Sequence, residues 1–429
     1  MHKTTAEERQ MLHRFAHLAD AHLGAHREPN LQKLELQTFD AAMKKCAEIG
    51  VDFVLVCGDL FHVSIPDLGV VNSALKSMIE LQRQGIPIYA IYGSHDYTPN
   101  GTSVIDILNT AGVVNNVFKP SFEGDSLRLG VTVDEKTGAK IVGMSARKIG
   151  LESRYFDVLD RLSLEQEQGF RIFAFHSGLT QLKPEYLGAM ETVDADLLPK
   201  GFDYYAGGHI HDRGEFDLPG HRNIVFPGPL FTGYGRDLEA TAKGEKRGFY
   251  VVEFEEHVSS KTFVPVDAFK GVFREYDLTG KGAPEAGSLV ADDLGKVEVD
   301  GKLVVVKAHG ELAGGKVSEV GLAGIRTNLA ERGAVHVYLN RSGLKSREAT
   351  GPVFSGEEPA SIEKQLFEGE ASKVNVGDEH LRGRDGAQRG LELLRLWRQP
   401  SKLGEAKKDY AVRMVREGIA TLERGEGKD

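Results

Sequence analysis

Five apolar runs along this chain each stop at a short polar motif built from Asp, His and Gly, and that repetition restricts the fold more than any other feature. Residues 14–19 lead to Asp20 and His22, with Gly24 placed to turn the chain away, and residues 51–57 lead directly into Gly58-Asp59. Residues 86–92 precede Gly93-Ser94-His95-Asp96, residues 170–175 precede His176, and residues 204–206 run into Gly207-Gly208-His209-Ile210-His211. Short, nearly continuous apolar runs fit buried parallel strands. In an open α/β sheet the carboxyl ends of such strands lie along one edge, where residues far apart in sequence converge. Histidines with unrelated structural jobs would not repeat this arrangement.

The residue types name a chemistry. Two divalent cations about 3.5–4 Å apart acidify water and neutralise a phosphate. A set of Asp and His without thiolate points to manganese, iron or zinc in a hydrolytic role, with manganese the first choice, and argues against a closed structural zinc site.

These residues resemble the calcineurin-like metallophosphoesterases and, within them, the SbcD-type DNA-repair exonucleases that serve as nuclease subunit of the double-strand-break repair complex. The narrower resemblance rests on Gly58-Asp59-Leu60-Phe61-His62 with Pro66 nearby, on Gly101-Thr102-Ser103-Val104-Ile105-Asp106-Ile107-Leu108, and on Tyr204-Tyr205-Ala206-Gly207-Gly208-His209-Ile210-His211. It rests also on Phe226-Pro227-Gly228-Pro229-Leu230 and Arg247-Gly248-Phe249-Tyr250. The resemblance implies an α/β sandwich of two central sheets flanked by helices, a small α/β capping domain and a helical C-terminal tail.

Carried over by position, it implies one metal held by Asp20, His22, Asp59 and His211 and a second held by Asp59, His176 and His209, with Asp59 bridging. His95 would give a hydrogen bond or proton to the phosphate or leaving oxygen, work that suits an imidazole. Asp96 would orient the His95 ring. His62 would contact the scissile region, or else be an ordinary exposed loop histidine. Ser94 departs from the family, which usually places a ligating Asn there. Ser94 ligating directly, a water filling the gap, and a weak second site are the three readings, and the latter two are favoured because affinity follows ligand type.

Composition sets outer limits. The 429 residues carry 41% apolar side chains, enough for two or three domains and a substantial core. No apolar run approaches the roughly 18 residues of a membrane span, and residues 1–12 are charged rather than signal-like, so a cytoplasmic protein without membrane contact is expected. Cys46 and Cys57 are the two cysteines and read as packed thiols. The net charge of −10 runs against a simple nucleic-acid binder, so a local surface, the metals or a partner must meet DNA. Bound cations would offset part of that charge.

Helices are expected over residues 31–49, 67–84 and 103–110. In the first, Leu34, Phe39, Ala42, Met43, Cys46 and Ile49 fall at helical spacing before Gly50. The other two form a dimer contact in the family, so Val71, Leu75, Met78, Ile105 and Leu108 face either a second copy or the chain's own sheet.

Four regions follow: a metallophosphoesterase domain over 1–264, a capping domain over 265–345, a linker over 346–380 with one short helix at 361–368, and a tail over 381–429. Within the cap, strands are expected at 302–308 and 334–339 and a helix at 316–332. The tail is basic and reads as two amphipathic helices joined near Pro400, with Trp397 beside Leu391, Leu394 and Leu396. In the family such a tail binds the coiled coil of an SbcC-type ATPase.

A metal-dependent DNA exonuclease and endonuclease acting on DNA ends with that ATPase, and as a homodimer, is the leading expectation. A small-substrate phosphodiesterase or phosphatase and a DNA-end-binding scaffold with weak catalysis are the alternatives.

Overall fold

A computed structural model describes residues 12–98, 101–146, 151–183, 187–188, 190–267, 269–346, 359–371, 381, 383–402, 405 and 407–423. Residues 1–11 and the Gly351-Pro352 and Gly356-Glu357-Glu358 segments lie outside them. Two six-stranded sheets organise the larger of two compact units. The first has the order Val258–Pro265, Gly248–Phe254, His13–Leu18, Phe53–Cys57, Ile88–Ile91 and Asn115–Asn116. The second runs Gly214–Leu218, His221–Phe226, Tyr204–Gly208, Arg171–His176, Lys140–Met144 and Thr132–Val133.

All five motif-bearing runs are strands, and those sharing a sheet run parallel. The alternation of side chains along each strand divides the core in two. Phe15, Phe53, Leu55, Tyr89 and Ile91 pack toward the second sheet, against Phe173, Phe175 and Tyr204. Their neighbours Ala16, Leu18, Val54, Val56, Ile88 and Ala90 pack under the helices. Phe15 stacks on Phe53 with ring centres 5.1 Å apart and meets the edge of Tyr204 at 5.2 Å. Each such ring contributes roughly 1.5–3 kcal/mol by burial. That two-sided burial explains why Phe53–Cys57 is apolar at every position.

The helix Pro29–Ile49 starts on a Glu28 side chain that accepts from Leu31 N–H, with Pro29 in its first turn, and stops at Gly50 in left-handed conformation. Cys46 on this helix and Cys57 are both buried free thiols. The helices Leu68–Arg83 and Val104–Thr110 are capped by Asp67 and Ser103. Met78, Ile105 and Leu108 pack into the chain's own core, and Val71 and Leu75 lie against it. On these helices Leu68 and Ile107 stand in solvent, exposed by 81 and 59%, and Ile65, just before the first helix, is exposed by 78%. The own-sheet alternative therefore holds for the residues named from the sequence.

A three-stranded sheet of Lys270–Asp277, Lys302–Leu312 and His336–Ser346 packs in the same unit with the helix Ala283–Gly295. The helix expected over 316–332 is broken: Val317–Val320 is a 3-10 turn and Leu322–Glu331 an α-helix. Gly321 between them has φ 74°, which ends the first and restarts the second.

The second unit gathers residues 345–429 with 313–316. Its described helices are Pro359–Ala371, Gly383–Trp397 and Lys407–Glu423. The stretch expected as a linker thus contributes a full helix, tied to the next by Arg398, which donates to both Glu363 oxygens at 3.0 and 2.7 Å. Val412, Val415, Ile419 and Leu422 form one exposed stripe, and Trp397 is 61% exposed. Among the described residues no helix is long and apolar enough to cross a membrane.

Candidate metal centre

The loops that follow the first two strands stay laced beyond the sheet. Asp20 N–H donates to the Gly58 carbonyl, His22 N–H to Asp59 and Leu23 N–H to Leu60, at 2.9–3.1 Å. The Asp20 carboxylate crosses to the other sheet and accepts from His209 N–H at 3.0 Å. Asp59 Oδ1 accepts from His95 N–H at 2.8 Å. These bonds bring four of the five motifs to one place, and His176 joins them through its Nδ1, 2.8 Å from the Cys57 carbonyl.

That convergence strains the chain. Asp20, His22, Asp59 and His209 have φ of 51, 46, 49 and 83°, and with Asn223 they are the non-glycine residues of positive φ among those described. Such backbone costs on the order of 1 kcal/mol or more per residue and persists where the surroundings over-determine it. Gly93 is needed for a different reason: a Cβ there would run into the Asp59 carboxylate.

The ligand-type atoms fall into groups. Asp20, His22 and His211 form one and Asp59, His176 and His209 another, with atoms within 4.8 Å of one another inside each group. The tautomers are set by the outer nitrogens. His211 Nδ1 lies 2.9 Å from Asp237 Oδ2, and His176 Nδ1 lies 2.8 Å from the Cys57 carbonyl, which can only accept. The Nε2 lone pairs of both rings therefore point inward. His211 Nε2 faces His22 Nε2 at 3.1 Å. His176 Nε2 is buried, makes no hydrogen bond among the described residues, and sits 3.2 Å from Asp59 Oδ2. Asp59 Oδ2 is also 3.8 Å from His22 Nε2. Acceptor atoms aimed at one another from several sides, on carboxylates and imidazoles, fit a pair of divalent cations.

The titration of these groups reflects the same crowding. Burial pushes the Asp20 carboxyl up to about 6, and it pushes His209 down to about 4 and His22 well below its ordinary value. Burial opposes the charge of His176, yet the Asp59 carboxylate beside it pushes its pKa up to about 10. Three residues before Asp20, His17 is fully buried between the sheets, its Nδ1 3.0 Å from the Tyr204 hydroxyl, and burial pushes it down to about 3.

His95 and His62 line the mouth. Together with His22 they form a third group of ligand-type atoms. The two rings stack at 4.9 Å, and His62 Nδ1 is 3.4 Å from His22 Nδ1. Ser94 lies half-buried in the turn between Gly93 and His95, which brings its position to the Asp59 carboxylate.

Asp96 departs from the expectation. Its buried carboxylate accepts from the N–H groups of Leu60, Phe61 and Gly93 at 2.9–3.2 Å. It fastens the second motif to the third and does not orient the His95 ring. The His62 carbonyl does that, accepting from His95 Nδ1 at 2.6 Å.

Three further residues were not singled out by sequence. Asp237 holds His211 and also accepts from Gly233 and Tyr234 N–H, each at 3.0 Å. As a first-turn acid of the helix Gly235–Ala242 it reads as an ordinary helix start. Glu35 reaches back from its helix to accept from Gly24 and Ala25 N–H at 2.8 and 3.2 Å, and burial pushes it up to about 8. Its only signal is an acid among apolar helix positions. Tyr234 places its hydroxyl 3.0 Å from His95 Nε2.

Residues 13–213 match the calcineurin-like phosphoesterase family. The DNA double-strand break repair protein Mre11 of Methanopyrus kandleri is 28% identical over 253 residues, 56% of this chain and 54% of that protein. Mre11 of Sulfurisphaera tokodaii is 29% identical over 262 residues, 59% of this chain and 63% of that one. The uncharacterised metallophosphoesterase YhaO of Bacillus subtilis is 27% identical over 261 residues, 56% of each. The matches thus span about half to just under two thirds of those relatives' length. With its two sheets and its five motif loops, the chain is thus similar over residues 13–213 to the calcineurin-like phosphoesterases, and over somewhat more than half of its length to Mre11-type repair proteins.

Proposed function

We propose that this chain is a dinuclear-metal-dependent nuclease that hydrolyses phosphodiester bonds at DNA ends in double-strand-break repair. The observation that carries this is the position of Asp59, one oxygen of which lies within 4 Å of an imidazole nitrogen from each ligand group. Asp20, His22, Asp59 and His211 would hold one ion; Asp59, His176, His209 and Ser94, directly or through water, would hold the other. Divalent cations there, manganese in our reading, supply an acidified water and charge neutralisation.

The chain's own residues do the rest. Asp237 and the Cys57 carbonyl fix the tautomers of His211 and His176, so that both offer lone pairs. Asp96 fixes the loop that carries His95. His95 faces the phosphate or the leaving oxygen with Nε2, and the His62 ring stacked on it borders the scissile bond. We read 1–264 as the nuclease domain, 265–345 as a DNA-selecting cap, and 381–429, preceded by residues 346–380, as the seat of an SbcC-type ATPase. The exposed stripe of Val412, Val415, Ile419 and Leu422 supports the last point. The exposed Ile65, Leu68 and Ile107 support a homodimer.

The test strips the protein of metal, resupplies manganese, and offers end-labelled duplex DNA and a small chromogenic diester, with His95→Ala as control. DNA turnover that needs metal and His95 is expected, the variant losing roughly 10²- to 10⁴-fold. Turnover of the diester alone would establish a small-substrate phosphodiesterase instead. Metal-independent DNA binding without turnover would establish an end-binding scaffold.

A further inference from the structure

We propose that Tyr234 is a second hydrogen-bond donor to the leaving oxygen, paired with His95; this rests on the nuclease reading above. His95 Nδ1 must carry a hydrogen, because its partner at 2.6 Å is the His62 carbonyl. The atom 3.0 Å from the other ring nitrogen, Nε2, is the Tyr234 hydroxyl. Nε2 and the phenol hydroxyl thus stand side by side at the mouth of the site. A sugar oxygen departing from phosphorus beside His95 Nε2 comes within reach of the same O–H. The phenol turns about its C–O bond and donates to that oxygen as negative charge builds there. It gives a hydrogen bond and keeps its proton: as the water oxygen bonds to phosphorus and the bond to the sugar oxygen breaks, the proton that oxygen takes comes from His95 or from solvent.

The placement of Tyr234 suits this task. The ring is 48% exposed, so it borders the opening rather than filling the core. Its centre lies 5.4 Å from that of His211, 5.8 Å from His22, 6.0 Å from His62 and 6.4 Å from His95. Its backbone N–H is held by Asp237 Oδ2, the same oxygen that holds His211. The aromatic ring and one candidate ligand thus share an anchor. On the helix that Tyr234 precedes, Glu239 accepts from Asn340 of the three-stranded sheet and faces Lys307 at 4.0 Å. Substrate contacts on that sheet would bear on the position of the phenol.

The test compares wild type, His95→Ala, Tyr234→Phe and Tyr234→Ala with manganese, on duplex DNA and on a bis-nitrophenyl diester whose leaving group needs no hydrogen bond. Tyr234→Phe removes one oxygen and keeps the ring against His22 and His211. We expect it to lower kcat on DNA on the order of 100-fold with KM unchanged, and to leave diester turnover within about threefold. Manganese affinity stays at the wild-type value, and Tyr234→Ala loses at least as much on DNA. An unchanged kcat on DNA in Tyr234→Phe, or an equal loss on both substrates, overturns the assignment, the second result marking a structural role. Wild type without turnover, or no better than His95→Ala, overturns the nuclease reading itself. Wild type active and His95-dependent with Tyr234→Phe unaffected overturns the Tyr234 assignment alone.

Discussion

The wall of the metal centre and the C-terminal helical unit break the ordinary placement of side chains in opposite directions. In the wall, carboxylates and imidazoles are buried, and four of the residues carrying them sit on left-handed backbone. In the helical unit, apolar side chains stand in solvent, among them Trp397 and Val415, while Arg398 and Arg413 are tied to Glu363 and Glu405. Neither arrangement helps a free chain to fold. On the proposed reading another molecule completes each: cations for converging lone pairs, and a protein surface for an apolar stripe. On the reading proposed above, the first region serves chemistry and the second assembly.

The largest effect that sharpens this contrast is acid sensitivity. The pKa of buried His17 is depressed to about 3 in the folded state, against an ordinary value near 6.5. The stability it contributes is present above pH 6.5 and is lost as pH falls toward 3, in full on the order of 4 kcal/mol. Denaturant unfolding of metal-loaded protein between pH 7 and pH 4 should show a decline that His17→Asn flattens. Parallel curves for the two proteins would remove His17 from the account.

A smaller effect is expected from Asp237→Ala, which frees the outer nitrogen of His211. Manganese affinity should fall roughly 10- to 100-fold while the protein stays folded, as calorimetric titration and circular dichroism would show. Unchanged affinity would mean that the His211 tautomer is set by something else. The smallest belongs to the other region. The double variant Val415→Asp, Ile419→Asp should change unfolding free energy by less than about 0.5 kcal/mol per site and leave diester turnover untouched. A loss of several kcal/mol would show that the stripe is already covered in the free protein.

Much of the wall was legible in the sequence because its strands are buried on both faces. Burial leaves a run such as Phe53–Cys57 no polar position, so the polar residues that follow stand out. Asp20, His22, Asp59, His176, His209 and His211 were found that way, and the structure brings them together. The residues that hold them were not. Asp237 lies 26 positions beyond His211 and resembles any first-turn acid of a helix. For Asp96 the resemblance implies a role in orienting His95, whereas the side chain turns under the loop to three backbone N–H groups. Amphipathic spacing named Met78, Ile105 and Leu108 correctly as one face and could not say what that face meets. The helix at 316–332 failed at Gly321, a single residue whose positive φ helical periodicity does not register.

Asp59 has one more consequence. Through Oδ1 it holds the backbone of His95, and through Oδ2 it faces the imidazoles of both ligand groups. On the nuclease reading proposed above, a rotation of that one carboxyl group would therefore move the leaving-group side and the nucleophile side together. Filling half of the centre would pull the carboxyl off balance and leave His95 misaimed. Activity should accordingly rise with the square of metal concentration at low loading, as in a lock that turns only with both keys.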